Sequence, residues 1–232
     1  MKKLFIIAVS ILLTACGSTP QGNVPVSSNF FQNKETVVGV YTNVNQKTDT
    51  YLYGASCLLC IAAAATANSS LTSHFETLDS QDLSQVGAEL TQQLQANGLT
   101  VKNIDTTINI DKLKKFSTKE LNYHPKDFRS LKALLGVDKL IVVNFPFVGA
   151  ARYYSGYIPN GPPTGYVNGS VYMVDLETNK LEQFKRIELQ QAVHGEWDEP
   201  PAFPGVTTAY YEALELAKDR VKAAFKYTAT EN

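Results

Sequence analysis

Two clusters in the 232-residue chain hold residue types able to do chemistry. Cys57-Leu-Leu-Cys60 places two thiols on adjacent turns if the segment is helical, and a helix N-terminus lowers a thiol pKa enough to supply a thiolate. The spacing suits a redox pair, a disulfide made once, or two inert core thiols; the intervening leucines favour the structural readings. His194-Gly-Glu196-Trp197-Asp198-Glu199 crowds three carboxylates, an imidazole and the only tryptophan into six residues. A general acid/base pair or a cation site is built from such groups. Its spacing matches no calcium loop, however, and adjacent loop carboxylates ordinarily face solvent. Structural zinc needs four ligands, whereas His74, His124 and His194 stand singly. No metal or cofactor is therefore expected. No Gly-x-Ser-x-Gly elbow, phosphate-binding glycine loop or His-Glu-x-x-His is present, so no catalytic residue is assigned and no catalysis is inferred.

Two segments read as contact surfaces instead. Trp197 and Phe203, among three prolines and beside His194, either anchor a partner or pin their own loop to the domain. The second option is preferred. Residues 146–165, rich in Pro, Gly and aromatics, read as a long loop whose Tyr153, Tyr154 and Tyr157 suit recognition better than catalysis.

The elements that must position these residues follow from periodicity. Residues 36–44 and 137–145 are β-branched, apolar runs, hence strands, with a shorter strand at 99–104. Leu83, Val86, Leu90 and Leu94 form one helical stripe ending at Asn97-Gly98; Phe128, Leu131, Leu134 and Leu135 form another. Residues 57–67 are apolar on every side but too short to span a bilayer, leaving a buried helix or a membrane-apposed one. Strands at 166–175 and 181–190 flank an Asn-containing turn. A closing helix over 206–225 buries Val206, Tyr210, Ala213, Ala217 and Val221. This order predicts a single α/β (α+β) domain over 36–228, with a mixed sheet of about five strands and three to four helices, and a tail at 229–232.

The N-terminus says where the chain resides. Lys2 and Lys3 precede the apolar run Leu4–Leu13, and small residues follow, which is the anatomy of a signal peptide over 1–15. Leu13-Thr-Ala-Cys16 resembles the lipobox of bacterial lipoproteins. That resemblance implies cleavage before Cys16 and its acylation, with palmitate among the chains; an ordinary signal peptide leaving a free thiol is the alternative. Two or three chains give stable anchoring where one is marginal. Gly17 rather than Asp follows the cysteine, as in lipoproteins sorted to the periplasmic face of the outer membrane. Residues 16–35, rich in Gly, Ser, Pro and Asn, read as a lipidated cysteine and flexible tether reaching about 25 Å. Losing the signal leaves 19 basic residues against 22 acidic ones. That balance gives no basic face for nucleic acid.

Three further stretches, GASCLLCIAAAATANSSLTSH (54–74), GVDKLIVVNF (136–145) and HGEWDEPPAFPG (194–205), together resemble a family of uncharacterised bacterial lipoproteins. At the level of fold the chain is similar to periplasmic lipoproteins of the curli-secretion and penicillin-binding-protein-activator type. The expected role is a binding or accessory module of an envelope assembly, with an envelope protein or a second copy as partner. A thiol-redox or metal protein using Cys57 and Cys60 is the alternative.

Overall fold

The computed structural model describes residues 20–118 and 120–226. The signal peptide, Cys16 and the tail from 229 lie outside them. The domain is mixed α/β, as expected, but its sheet has seven strands.

Helix α1 (Ser28–Gln32) precedes β1 (Val37–Val44) and β2 (Asp49–Tyr53). Four helices follow: α2 (Leu58–Ala67), α3 (Ser69–Phe75), α4 (Gln81–Ser84) and α5 (Val86–Ala96). Next come β3 (Thr100–Asn103), α6 (Leu131–Leu135), β4 (Lys139–Ser155) and the short β5 (Ile158–Pro159). β6 (Thr164–Asp175), β7 (Leu181–Gln191) and α7 (Pro204–Ala223) complete the chain. The sheet order is β3-β1-β4-β6-β7, with β2 and β5 also paired to β4. β1 runs parallel to β3 and β4, whereas β4, β6 and β7 are antiparallel neighbours.

β4 is the axis of the sheet, and the predicted loop at 146–165 is largely strand. Its register against β6 shifts between Asn144 and Phe147, which places Pro146 at a bulge where no ladder N–H is required. β1 stops there, with Val44 opposite Phe145, and β2 takes its place with Asp49 opposite Gly149. The glycines that made this stretch look like a loop are demanded by close approach. A Cβ on Gly149 would lie 2.0 Å from the Asp49 carbonyl oxygen, and one on Gly165 would lie 2.1 Å from that of Ala209 in α7.

One face of the sheet carries the main core. Val38, Val40, Ile141, Val143, Val148, Val167 and Val171 meet Leu90, Leu94, Tyr210, Ala213 and Ala217 from α5 and α7. A smaller core on the other face packs residues 104–135 against Tyr41, Leu140, Val142, Tyr172 and Val174.

The predicted tether is shortened from its C-terminal side. Val24 exchanges two backbone hydrogen bonds with Phe184 on the edge strand β7, at 2.8 and 2.9 Å. Phe30 and Phe31 of α1 are buried in the main core. The two aromatics override the polar composition around them. Phe31→Ala is expected to cost about 3–5 kcal/mol of stability, measurable by denaturant unfolding. A segment that is a free tether would leave stability unchanged.

Candidate functional site

Beyond the bulge, the sheet has one face under helices and one without them. Alternation along β4 aims Val148, Ala150 and Tyr154 at the helices and Phe147, Gly149, Ala151 and Tyr153 away from them. β2 adds Tyr51 and Tyr53 to the second set by its pairing beside Ala151 and Tyr153, and β6 adds Tyr166 and Asn168. Gly149 and Ala151 form a floor small enough for rings to lie across.

The rings make a lattice. Tyr53 stacks on Tyr153 with centroids 5.3 Å apart and planes at 28°, and meets Tyr166 edge-on at 5.8 Å. Tyr51 meets Phe147 edge-on at 5.4 Å and tilts against Tyr166 at 5.7 Å. Polar groups tie it together. The Tyr53 hydroxyl donates to that of Tyr166 at 3.2 Å, Asn168 Nδ2 donates to Tyr166 Oη at 2.8 Å, and Gln190 Nε2 donates to Tyr153 Oη at 2.8 Å. Burial pushes the phenols of Tyr51, Tyr53 and Tyr153 above their ordinary value, and neighbouring hydroxyls reinforce the shift. The face therefore presents neutral rings and amides, able to stack on a ligand and to hydrogen-bond uncharged polar groups.

The lattice runs into a cleft of about 840 Å³ between the sheet and residues 107–126, where Phe147, Asn43, Asn144, Ser170, Tyr172 and His124 contribute to the walls. Asn43 Nδ2 donates to Asn144 Oδ1 at 2.7 Å. The His124 ring stacks on Tyr172 at 5.1 Å and 27°, and meets Phe128 edge-on at 4.5 Å. Its Nδ1 lies 3.0 Å from the Lys126 backbone nitrogen and 3.2 Å from the Lys126 carbonyl oxygen, so the Lys126 backbone fixes the ring. Burial pushes His124 down to about 4, so the ring is neutral at pH 7.

The residues singled out from sequence do not converge. Of the three tyrosines, Tyr153 alone lies on the open face. Tyr154 points the opposite way and is buried, its hydroxyl accepting from Asn68 Nδ2 at 2.5 Å, so it offers no contact surface. Tyr157 is exposed at the β4–β5 turn. His194 is exposed beyond β7. Trp197 is half-buried against the main core, with the Arg152 guanidinium 4.3 Å above its ring. Phe203 is also a core residue, 4% exposed, packed against His74 at 5.6 Å. Cys57 and Cys60 form a disulfide with Cα atoms 4.9 Å apart; Cys57 is exposed and Cys60 is buried. Among the described residues no group of three or more His, Cys, Asp or Glu converges as a metal site would need.

Tyr51, Tyr53, Phe147, Tyr166 and Asn168 were not singled out beforehand. The signal for them was the period-2 spacing Tyr51-x-Tyr53 and Tyr166-x-Asn168-x-Ser170, which puts such residues on one face of a strand.

No protein-family model matches the chain, and no curated protein matches it. Among solved structures, the hypothetical protein CT253 from Chlamydia trachomatis aligns over 81% of this chain and 98% of its own, at 11% identity and a TM-score of 0.30. That likeness is too low to carry an argument about function.

The depressed pKa of His124 makes stability depend on pH. The unfolded chain takes up the proton below its ordinary 6.5, while the folded chain does so only near 4. Stability is thus fully present above 6.5 and falls as the pH drops toward 4. Lowering the pH from 7.5 to 5 is expected to cost roughly 1–2 kcal/mol through this group. Denaturant titrations of the parent and of His124→Gln should differ by that slope; equal slopes would remove His124 from the pH dependence.

Proposed function

We propose that the chain is an acyl-anchored lipoprotein of the bacterial envelope, held at the periplasmic face of the outer membrane through Cys16, and that its domain acts as a binding or accessory module. The observation that carries the binding role is the helix-free aromatic face. Tyr51, Tyr53 and Tyr153 are half-buried, Tyr166 is buried among them and Phe147 is exposed, so the rings form a partly open apolar surface of the kind that marks contact sites. Here stacked tyrosines, an exposed Phe147 and amide side chains line one continuous surface from Tyr153 to the cleft. Its neutrality suits a partner recognised by stacking and hydrogen bonds rather than by charge.

The anchor rests on the sequence of residues 1–16. The packed α1, the Val24–Phe184 pairing and the Gln21–Asn122 hydrogen bonds would hold the domain close to such an anchor. Metabolic labelling with an alkyne fatty acid, followed by membrane fractionation, tests the anchor. The parent should carry label and sediment with membranes, while Cys16→Ser should lose the label and most of its sedimentation. A Cys16→Ser protein that remains labelled and fully membrane-bound overturns the reading. A thiol-exchange role for Cys57 and Cys60 is the second reading, favoured by the exposed position of Cys57 at the start of α2. Thiol trapping in cells decides it: cycling requires a population of free thiols in the folded protein.

A further inference from the structure

Two segments about a hundred residues apart in sequence build one exposed apolar tip. Helix α2 packs by Cys60 and Ala64, while Leu58, Leu59 and Ile61 are 87%, 83% and 50% exposed. The turn after β4 exposes Tyr157 and Ile158 by 68% and 57%. The two are neighbours: a Cβ on Gly156 would lie 3.8 Å from Cys60 Sγ, and Asn68 at the end of α2 bonds Tyr154. Residues 50–75 and 153–174 contain no Asp, Glu, Lys or Arg, in a chain that is 19% charged. Arg152, the nearest cation on β4, is turned inward, its guanidinium stacked on Trp197 and donating to Asn68 Oδ1 at 3.1 Å.

We infer that this tip inserts into the interface of the lipid bilayer to which the chain is anchored, an inference that rests on the anchor proposed above. Aliphatic side chains at the start of α2 would enter the acyl boundary, with Tyr157 at headgroup depth, as aromatic side chains prefer. At ten residues, about 15 Å long, α2 lies in the interface rather than across it. Cys57 serves insertion by accepting the Cys60 N–H at 3.0 Å, satisfying one of the free amides at the helix start.

The lack of charge in both segments and their exposed aliphatic side chains favour the anchoring membrane as occupant, and the length of chain ahead of the fold limits the pose. Cys16 and Val24 are eight residues apart, which spans at most about 29 Å, and Gln21 between them is tied to Asn122 by two hydrogen bonds. Val24 pairs with Phe184, which aligns through Tyr172 with Val142 of β4. From Val142 to Tyr154 at the tip is twelve strand residues, about 40 Å. An upright domain with its tip in the bilayer would hold Val24 beyond the reach of the anchor. At these lengths the strands would lean by about 45° from the membrane normal, so that anchor and tip touch the same surface.

The test uses the full acylated chain in phosphatidylethanolamine/phosphatidylglycerol vesicles containing a phospholipid with a photoactivatable acyl chain, with adducts mapped by peptide. Adducts are expected within 57–61 and 155–159. They should fall at least about tenfold in both Leu58→Ser/Leu59→Ser/Ile61→Ser and Tyr157→Ser/Ile158→Ser, whose targets are exposed and whose circular dichroism should match the parent. The full chain carrying Cys16→Ser should bind the same vesicles weakly, and adding the three α2 serines should abolish that residue of binding. An acylated protein that stays on the vesicles without tip adducts overturns the inference and leaves the anchor standing. Undiminished sedimentation of Cys16→Ser overturns the anchor. Dimers of the acylated chain that a bifunctional protein crosslinker traps, and that the tip serines abolish, would assign the patch to self-association and also overturn the inference.

Discussion

The register shift in β4 at Pro146 is the constraint on which the rest of the molecule depends. A proline inside a central strand removes a ladder donor, and the sheet accommodates it only by ending one neighbour and beginning another. β1 pairs with β4 up to Phe145, and β2 resumes at Gly149. The four residues between them leave the sheet and are tied down by side chains: Asn45 Nδ2 donates to the Pro146 carbonyl, and the Thr48 hydroxyl to that of Phe75. Before the bulge both faces of the sheet are covered. After it the 104–135 segment no longer reaches, and the face carrying Tyr51, Tyr53, Tyr153 and Tyr166 is left without a layer of helix or loop. The aromatic lattice thus follows directly from how the proline is accommodated.

Charge is distributed in keeping with this division. Glu89 of α5 meets Lys218 and Lys222 of α7 at 3.4 and 3.1 Å, so the helical layer is clamped along its outer seam. Lys139 pairs with Asp175 and Glu182 at the far end of the sheet. Each pair is partly exposed and contributes little singly, but both belong to small networks. The end of the sheet built from α2 and the β4–β5 turn has no such pairs to lose. Neutral chemistry there is a property of two whole segments, and Arg152, the nearest cation on β4, is held against Trp197 and Asn68.

Much of the fold was legible from periodicity, because the helices and the first half of the sheet obey one rule at a time. The stripes of α5 and α7 and the continuous apolar run of β4 before Pro146 report burial on one face or on both. The second half of β4 obeys two rules at once. Gly149 answers to backbone packing against Asp49, and Gly165 of β6 to Ala209, while Tyr153 and Tyr154 lie between them; composition alone then imitates a loop. The same ambiguity misplaced Tyr154. In a strand, adjacent residues face opposite ways, so Tyr153 and Tyr154 cannot share a surface, whereas in a loop they can. Phe30 and Phe31 stand among polar neighbours whose composition imitates a tether. Two aromatics with a core to enter outweigh the conformational entropy of the short segment they fix.

The Cys57-x-x-Cys60 pair acquires a different meaning once α2 is placed. A helix with only two buried residues has little tertiary packing to support it, and short helices are marginal without such support. The disulfide links the N-cap residue to the first buried position of the helix, beside Gly156 of the β4–β5 turn. It therefore constrains the turn of helix that displays Leu58 and Leu59, where apolar side chains facing water would otherwise favour local collapse. Fixing those leucines outward costs solvation and gains nothing for the core. A domain with ample buried surface elsewhere has no packing reason to maintain that arrangement, so the bridge is better explained by what the leucines touch than by the stability of the domain.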